Sequence, residues 1–458
     1  MSISGVRGIV GNGLDARIAH DLGAAFGAFL RMQRSEGMPK VAIGRDTRAS
    51  GPDLENACIE GLLYSGCEVL RFGVVPTPTA QVNVSLLNLD GAVVVSASHN
   101  PAEWNGFKFI GPRGVFLNSD EAGTFLRLYH SKQWPQLGKG YVSNDGGAMM
   151  RHLERIFSKL DITDSWSELK VAVDAVNGAG AVANPRLLDF LGVDYKLLYG
   201  EATGEFLRGT EPIPEHLGEL GKLVQSEGCH IGFAQDPDAD RLAIVDEQGQ
   251  PLGEDLTVVL GLDALLSTAE PGPKKIVVSL STSMAVDDVA KKYRATVIRT
   301  PVGEVNVSEA MIWNAAFAGG EGNGGLINPQ IGFGRDSLGA MALILKYLHT
   351  HQTSVSAWAA PYRKYTILKH KITLPPHVTT EAVLALAREM KTNGTLNQQD
   401  GVKITWSDRW LHVRSSNTEP VIRLIAEATK QEKAESLITD ISVAIQKLVD
   451  QTQVVPST

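Results

Sequence analysis

Short apolar runs separated by amphipathic segments recur along the first three quarters of the chain and predict alternating strands and helices. The runs 40–43, 68–72 and 91–95 are typical of buried strands, and the pattern begins again at 169–174 and 275–280. Before the first of these runs, an amphipathic helix is predicted by the helical spacing of five apolar residues, Ile18, Leu22, Phe26, Phe29 and Leu30. Strands separated by helices indicate parallel βαβ units, whose ligands collect beyond the carboxyl ends of the strands.

The last quarter of the chain has a different pattern. From about Tyr362, strand-like runs at 402–406 and 410–413 flank a polar turn, and a third run covers 421–426. A helix is predicted over 431–450, with its apolar residues on one face. These elements predict an antiparallel α+β domain after the α/β part.

The length of 458 residues suggests about three domains, at roughly 150 residues per domain. A polar, Gly-rich stretch at 137–147 and a Pro-Gly-Pro break at 271–273 are candidate boundaries. The fold class predicted is α/β: three similar α/β units with mixed, mostly parallel sheets, followed by the α+β domain.

Composition and charge exclude several classes of function. With 43 Lys+Arg against 51 Asp+Glu, the net charge of −8 argues against a nucleic-acid partner and against a polybasic membrane anchor. Three cysteines without a CxxC pair predict neither a disulfide framework nor a zinc site. The N-terminus lacks the apolar run of a signal peptide and no long apolar stretch occurs, so we expect a cytoplasmic protein without a membrane span.

Glycine is the one unusual component. The chain has 46 glycines, about 10% of its residues against the usual ~7%. Many follow the apolar runs, whereas a flexible tether would place them between domains. Since glycine lets the main chain approach a ligand closely, these positions predict ligand-binding loops at strand ends.

The first candidate site is the polar segment 96–101 (Ser-Ala-Ser-His-Asn-Pro), which directly follows an apolar run. Ser98 is a candidate nucleophile, with His99 and Lys108 near it in sequence. A serine hydrolase is disfavoured because adjacent residues rarely form a nucleophile–base pair and because the G-x-S-x-G elbow is missing. The alternative is a polar loop that makes only local turn bonds.

The second candidate site is a set of alternating carboxylates, Asp236, Asp238 and Asp240. Such clustering is costly without a cation, and oxygen ligands favour Mg²⁺, Mn²⁺ or Ca²⁺. An EF-hand is excluded, because Arg241 stands where its glycine belongs and a strand pattern follows. A solvated acidic turn is the alternative; Arg241 itself suits a phosphate-bearing ligand.

The third candidate site is the glycine run 319–325, which encloses Glu321. It matches G-x-G-x-x-G, but Leu-Ile-Asn-Pro follows instead of a helix, and the expected ribose-binding acid is missing. A carboxylate among glycines favours a polyol ligand, since it accepts hydrogen bonds from hydroxyls. A flexible loop is the alternative.

The fourth candidate site is the segment 414–420 (Arg-Ser-Ser-Asn-Thr-Glu-Pro), with Arg423 beyond it. Guanidinium, hydroxyl, amide and main-chain N–H groups in one turn are typical of a phosphate cradle, although a hairpin with polar ends fits equally well. Two Gly-rich turns with arginines, 4–8 and 44–51, also suit an anion, with surface arginines as the alternative.

The order of these motifs resembles the α-D-phosphohexomutase superfamily, which includes phosphoglucomutase, phosphomannomutase and phosphoglucosamine mutase. The resemblance runs from Arg7 to Arg423. It implies four domains around a central cleft, one more than the length suggested. The corresponding boundaries are 1–147 for the serine loop, 148–251 for the metal loop, 252–361 for the sugar loop and 362–458 for the phosphate loop.

The resemblance implies a site and a reaction. A phosphate on Ser98 and the three aspartates would hold Mg²⁺, and the phosphoserine would convert a hexose monophosphate into a 1,6-bisphosphate, which also acts as activator. The other catalytic residues implied are His99, Lys108, Arg7 and Arg241. The substrate-binding residues implied are Glu321, Asn323, Arg414, Ser416, Asn417, Thr418 and Arg423.

Substrate choice depends on the sugar loop. Its Glu-Gly-Asn-Gly-Gly form at 321–325 is similar to the phosphoglucosamine mutase branch common in archaea and some bacteria. We therefore expect glucosamine 6-phosphate and 1-phosphate to be interconverted, with phosphomannomutase/phosphoglucomutase activity as the alternative. A second loop, 300–306, has no basic residue and is assigned no role. A non-catalytic sugar-phosphate binder and a metal-dependent phosphatase are further alternatives; we expect a monomer or homodimer.

Overall fold

The strands form four β-sheets, one after another along the chain, within residues 5–34, 36–138, 140–415 and 421–453, which the computed structural model describes. The first three sheets are mixed and the fourth is antiparallel. This arrangement confirms the α/β class, the α+β end of the chain and the four-unit architecture that the resemblance implied.

The first sheet contains seven strands. They are β1 Val6–Val10, β2 Gly13–Leu14, β3 Lys40–Arg45, β4 Glu68–Val74, β5 Gly91–Val95, β6 Trp104–Ile110 and β7 Tyr141–Asn144. Its helices are α1 Ala16–Met32, α2 Gly51–Tyr64, α3 Thr77–Leu86 and α4 Ser119–Ser131. The sheet order is β2-β1-β6-β5-β3-β4-β7. The polar stretch 137–147 contains β7, which extends the sheet parallel to β4.

The second sheet is built from four strands, β8 Lys170–Asp174, β9 Asp194–Leu198, β10 Ile231–Gln235 and β11 Leu242–Val245. Its helices are α5 Ala148–Lys159, α6 Gly180–Leu191 and α7 Gly218–Glu227, with a 3-10 turn at Pro214–His216. Strands β9, β8 and β10 are parallel, whereas β11 returns antiparallel beside β10. The three aspartates lie in the turn of this β10–β11 hairpin.

The third sheet repeats this plan. Its strands are β12 Lys275–Ser279, β13 Thr296–Thr300, β14 Ala318–Glu321 and β15 Gly325–Ile327. Its helices are α8 Glu254–Ser267, α9 Ala285–Tyr293, α10 Glu304–Asn314, α11 Ser337–His351 and α12 Val355–Ala359, with a 3-10 turn at Ala360–Tyr362. Parallel strands again end in an antiparallel hairpin, β14–β15, whose turn begins at the sugar-loop glutamate.

The fourth sheet is antiparallel in the order β16-β20-β19-β18-β17. These strands are β16 Thr366–Thr373, β17 Thr395–Asn397, β18 Val402–Thr405, β19 Arg409–Ser415 and β20 Val421–Ala428. Its helices are α13 Thr380–Glu389 and α14 Gln431–Gln453. The predicted hairpin and final helix are confirmed. None of the helices in the described ranges is long and apolar enough to cross a membrane.

The apolar cores differ between the units. One continuous cluster includes Val94 of β5, Phe233 of β10 and Val278 of β12, so the first three units share a core. The fourth unit has a separate core, where Ile438 and Ile441 of α14 pack with Leu424 of β20. The loops at the strand ends of the first three units are therefore held in fixed relation to one another.

Candidate active site

Ser98 lies directly after β5, where the chain makes a strained turn. Its φ of 50° is left-handed, which costs a non-glycine residue about 1–2 kcal/mol. The turn is held by Ser96 Oγ, which accepts the Ser98 N–H at 2.9 Å and donates to Asp46 Oδ2 at 2.7 Å. The result is a buried serine whose Oγ donates to Asp236 Oδ2 at 3.0 Å.

Arg48 fixes the main chain of the same loop. Its guanidinium is buried, pairs with Asp46 at 3.0 Å, and donates to the carbonyl oxygens of Ser98 at 2.7 Å and Asn100 at 2.6 Å. Within segment 44–51, for which the sequence offered an anion site or surface arginines, Arg48 thus has a third role. It positions the serine loop through carbonyl groups.

The three aspartates lie fully buried in the β10–β11 turn, with one oxygen from each within 4.8 Å of the others. Asp238 Oδ1 and Asp240 Oδ1 have no hydrogen-bond partner in the part of the chain that the structure describes. Burial, then Asp240 and Asp238, raise the pKa of Asp236 well above its usual range. Buried, unpartnered carboxylate oxygens are the donors a hard divalent cation prefers, so the triad can hold a metal ion.

Lys108, on β6, points at the triad. Its Nζ pairs with Asp238 and lies 3.1 Å from Asp240 Oδ2. Burial alone would lower the pKa of Lys108, but Asp238 and Asp240 outweigh it and raise the pKa. Lys108 is therefore a charged group at neutral pH, placed to offset negative charge beside Ser98.

His99 is held neutral. Burial, followed by the nearby Arg241 and Arg7, lowers its pKa well below the usual range. Arg241 Nη2 donates to His99 Nδ1 at 3.0 Å, which leaves the ring proton on Nε2, 3.6 Å from Glu211 Oε1. Arg7 reaches the same loop from β1, where its Nη1 donates to Asn100 Oδ1 at 2.8 Å. Besides Arg48, two further guanidinium groups thus contact side chains of the serine loop, which suits an anionic ligand.

Glu321, at the end of β14, is brought beside the triad. Its Oε1 accepts the Gly303 N–H at 2.7 Å, and its Oε2 accepts Arg335 Nη1 at 3.1 Å. The same guanidinium reaches Asp240 Oδ2 at 2.6 Å. Asn323 Oδ1, in the turn, is buried without a partner among the described residues. The loop therefore presents acceptors close to the charged centre.

The predicted phosphate loop is described in part. Arg414 and Arg423 are paired across β19 and β20, an arrangement of like charges that an anion would stabilise. Arg414 Nε donates to Asp400 Oδ2 at 2.8 Å, while its buried Nη2 has no partner within the described ranges. The predicted ligands Ser416, Asn417 and Thr418 lie outside the described residues.

Several residues of the site were missed by the sequence reading. They are Asp46, Thr77, Glu211, Glu304, Arg335 and Asp400. Thr77 Oγ1 donates to Asp238, and Glu211 lies 3.3 Å from Arg241. Asp46 stands in the segment 44–51 and Glu304 in the loop 300–306, which the sequence singled out without a role for either acid. For Arg335 the available signal was the polar Gly-Arg-Asp triplet at 334–336, just before a helical pattern.

Comparison with protein-family models gives four matches in order along the chain. The phosphoglucomutase/phosphomannomutase alpha/beta/alpha domain I matches residues 2–135, domain II matches 150–249, and domain III matches 253–365. The C-terminal domain of the same family matches residues 376–442.

Proteins of similar sequence or structure match this chain over nearly its whole length. A phosphoglucomutase/phosphomannomutase of Thermococcus kodakarensis is 36% identical over 441 residues, 94% of each chain. A probable phosphoglucosamine mutase of Methanopyrus kandleri is 32% identical over 454 residues, 98% of each chain. The crystal structure of a phosphoglucomutase/phosphomannomutase family protein from Burkholderia thailandensis has a TM-score of 0.85 at 26% identity, covering 98% of this chain and 97% of that one.

A serine facing buried carboxylates, arginines and a lysine across three fused α/β units is an arrangement suited to phosphoryl transfer. The four matched domains then settle the family: the chain belongs to the phosphoglucomutase/phosphomannomutase family of phosphohexomutases.

Proposed function

We propose that the protein interconverts hexose 6-phosphates and hexose 1-phosphates through a phosphorylated Ser98 and a 1,6-bisphosphate. The favoured substrate is glucosamine phosphate, with mannose and glucose phosphates as the alternative. The observation that carries this proposal is the buried contact of Ser98 Oγ with Asp236 at 3.0 Å, inside a cluster of carboxylates and cations.

In the proposed cycle, the bond between phosphorus and Ser98 Oγ breaks as a bond from phosphorus to a sugar hydroxyl oxygen forms. The sugar hydroxyl gives up its proton and Ser98 Oγ gains one, so the serine leaves as a neutral hydroxyl. Ser98 Oγ later regains a phosphoryl group from the other end of the sugar and loses its proton in that step. Such transfers need positioning and charge neutralisation more than covalent chemistry. Lys108, Arg7 and Arg241 are placed to supply the positive charge.

Asp236, Asp238 and Asp240 would hold the metal, for which we propose Mg²⁺ because all available ligand atoms are oxygens. When bound, the ion neutralises charge on the transferring group. Lys108 keeps two of the three carboxylates in place and prevents their mutual repulsion from opening the turn.

The remaining residues are proposed to hold the parts of the substrate that do not react. Arg414 and Arg423, together with the sequence-predicted Ser416, Asn417 and Thr418, bind the second phosphate, and Glu321 and Asn323 bind sugar hydroxyls. With one reaction centre and one phosphate cradle, the bisphosphate must reverse its orientation between the two transfers. The same bisphosphate would phosphorylate Ser98 and so act as activator.

The glucosamine preference is supported by the form of the sugar loop 321–325, whereas the relatives are divided between the two alternatives. The Methanopyrus relative is a probable phosphoglucosamine mutase, whereas the Thermococcus relative is a phosphoglucomutase/phosphomannomutase. The test is a panel of kcat/KM values for glucosamine, glucose and mannose phosphates, with glucose 1,6-bisphosphate as activator. A preference for mannose phosphate would replace the glucosamine assignment.

Intact-mass spectrometry tests the reaction type. A mutase should carry a phosphate adduct that disappears on incubation with hexose monophosphate and returns with the bisphosphate. A phosphatase would release inorganic phosphate in proportion to the substrate consumed, and a non-catalytic binder would show neither adduct nor turnover.

We further propose the four domains 1–147, 148–251, 252–361 and 362–458, each contributing one loop to the site. A cytoplasmic location and a monomeric or homodimeric state stay predictions.

A further inference from the structure

A buried guanidinium joins acidic groups that belong to different parts of the site. Arg335 Nη2 donates to Asp240 Oδ2 at 2.6 Å, Nη1 to Glu321 Oε2 at 3.1 Å and Nε to Glu304 Oε2 at 2.9 Å. Burial would lower the pKa of Arg335, but Asp240, Glu304 and Glu321 raise it. All three nitrogens of this rigid, charged guanidinium group therefore donate hydrogen bonds to carboxylates.

The Arg335 side chain is closely packed by its surroundings. A Cβ added at Gly325 would lie 2.2 Å from Arg335 Cδ, so the last glycine of the sugar loop is needed for the guanidinium to pass. Gln81, from α3 of the first unit, donates to Glu304 Oε1 at 2.8 Å and fixes the far side. A Cβ at Gly334 would lie 2.1 Å from Gln81 Oε1. Three units therefore hold Arg335.

The position of Arg335 affects two functions at once. Asp240 belongs to the triad, and Glu321 faces the sugar loop, yet both take their orientation from the same planar group. The adjacent loop 300–306 has no basic residue of its own. Without a cation here, Asp240 and Glu321 would lose the positive charge that lies between them, and a metal ion at the triad would meet more negative charge in its surroundings.

We propose that Arg335 is a positioning residue that couples the hexose-binding carboxylate Glu321 to the phosphoryl-transfer carboxylate Asp240, an inference that rests on the proposed function. It aligns the sugar hydroxyls with the reacting centre and reduces the negative charge that a divalent cation meets at the triad. Loss of Arg335 should therefore strengthen cation binding while it weakens turnover. A purely structural role would change both in the same direction.

The experiment compares Arg335→Met, Arg335→Lys and the control Arg363→Met, which removes a guanidinium paired with the buried Asp246 outside the site. Mn²⁺ binding is followed by electron paramagnetic resonance, without substrate. The constants kcat and KM are measured for the three hexose phosphates of the panel, and melting temperatures report folding.

For Arg335→Met we expect Mn²⁺ to bind at least about threefold more tightly, while kcat/KM falls about 100-fold, mainly in kcat. Arg335→Lys keeps the charge but cannot span the carboxylates, so its Mn²⁺ affinity should stay within about twofold and kcat/KM should fall about tenfold. The control should match the wild type in both measurements.

The proposal is overturned if either Arg335 variant keeps kcat/KM within about threefold of the wild type. It is also overturned if Arg335→Met binds Mn²⁺ more weakly. If the wild type converts none of the three hexose phosphates, the proposed function fails, while the Mn²⁺ titration still decides whether Arg335 sets the charge of the triad.

Discussion

The reaction centre and the fourth domain are attached to the rest of the molecule in opposite ways. The reaction centre lies between three units that share one apolar core, and its charged groups are buried in mutual contact. The fourth domain has its own core. It meets the third unit through polar pairs, such as Ser281 Oγ with His412 Nδ1 at 2.8 Å and Lys369 Nζ with Glu254 at 3.0 Å.

The polar pairs continue up to Arg414, the arginine proposed to bind phosphate. Asp400 Oδ2 accepts both the Val302 N–H, at 3.0 Å, and Arg414 Nε. Glu427 accepts the Met284 N–H at 2.8 Å. Individual polar contacts of this kind contribute about 0.5–1.5 kcal/mol each. The comparison teaches that the reaction centre is built into a shared apolar frame, whereas the domain proposed to bind the substrate phosphate is joined to that frame by individually weak polar contacts.

The largest expected effect lies in the fixed frame. Ser98→Ala should reduce mutase turnover by at least about 10³-fold, because it removes the oxygen that carries the phosphoryl group. A coupled assay with saturating glucose 1,6-bisphosphate measures this loss. Ser131→Ala, on the exposed face of α4, is the matched control; wild-type turnover in Ser98→Ala would refute the mechanism.

Removal of the divalent cation should have the next largest effect. Chelation should stop turnover and added Mg²⁺ should restore it, while Asp238→Asn should lower kcat about 100-fold because a charged ligand is lost. The measurement is kcat as a function of Mg²⁺ concentration. Asp120→Asn, an exposed acid of α4, should leave the curve unchanged. Full activity after chelation would contradict a metal-dependent centre.

A change in the fourth domain should affect binding more than chemistry. Arg414→Met should raise KM for hexose phosphate about 10–100-fold, the effect of losing one or two charge-assisted hydrogen bonds. The kcat at saturation should change much less. Arg409→Met, on the same strand but paired with Asp408 near the surface, provides the control. A loss confined to kcat would remove the distinction between the two regions.

The smallest expected effect is a pH dependence of stability that comes from His412, at the polar interface between the third unit and the fourth domain. Burial lowers the pKa of His412 from 6.5 to about 4. Between these values the unfolded chain binds a proton at His412 that the folded chain does not, so this residue should contribute a fall in the free energy of unfolding as pH drops from 6.5 towards 4. The total loss should be on the order of 1–3 kcal/mol.

Urea unfolding at several pH values measures this dependence. His412→Gln should remove the contribution of this residue to the pH dependence, whereas His351→Gln, at an exposed position, should retain it. Equal pH dependence in the two variants would show that His412 is not the group responsible.

Much of the secondary structure can be predicted from the sequence because it depends on residues that are close together along the chain. A buried strand such as β5 consists of consecutive apolar residues, and an amphipathic helix such as α1 repeats them at helical spacing, so neighbours along the chain suffice to predict both. The loops that bear Ser98, the three aspartates, Glu321 and Arg414 were found in the same way, since each follows or lies beside a strand. The polar stretch 137–147 shows the limit: its edge strand β7 is exposed along its length and lacks the apolar signal.

The sequence by itself determined the order of strands and helices, the strand-end loops and the residue types available for chemistry. Only the tertiary structure decided which of them meet. Arg335 and Asp240 come from different units, as do Gln81 and Glu304, and their contacts arise because three sheets present their loops to one buried space. Likewise Arg48 was a possible anion ligand in sequence, but burial against carbonyl groups makes it a support for the serine loop. Local pattern encodes secondary structure, whereas the pairing of buried charges depends on long-range packing.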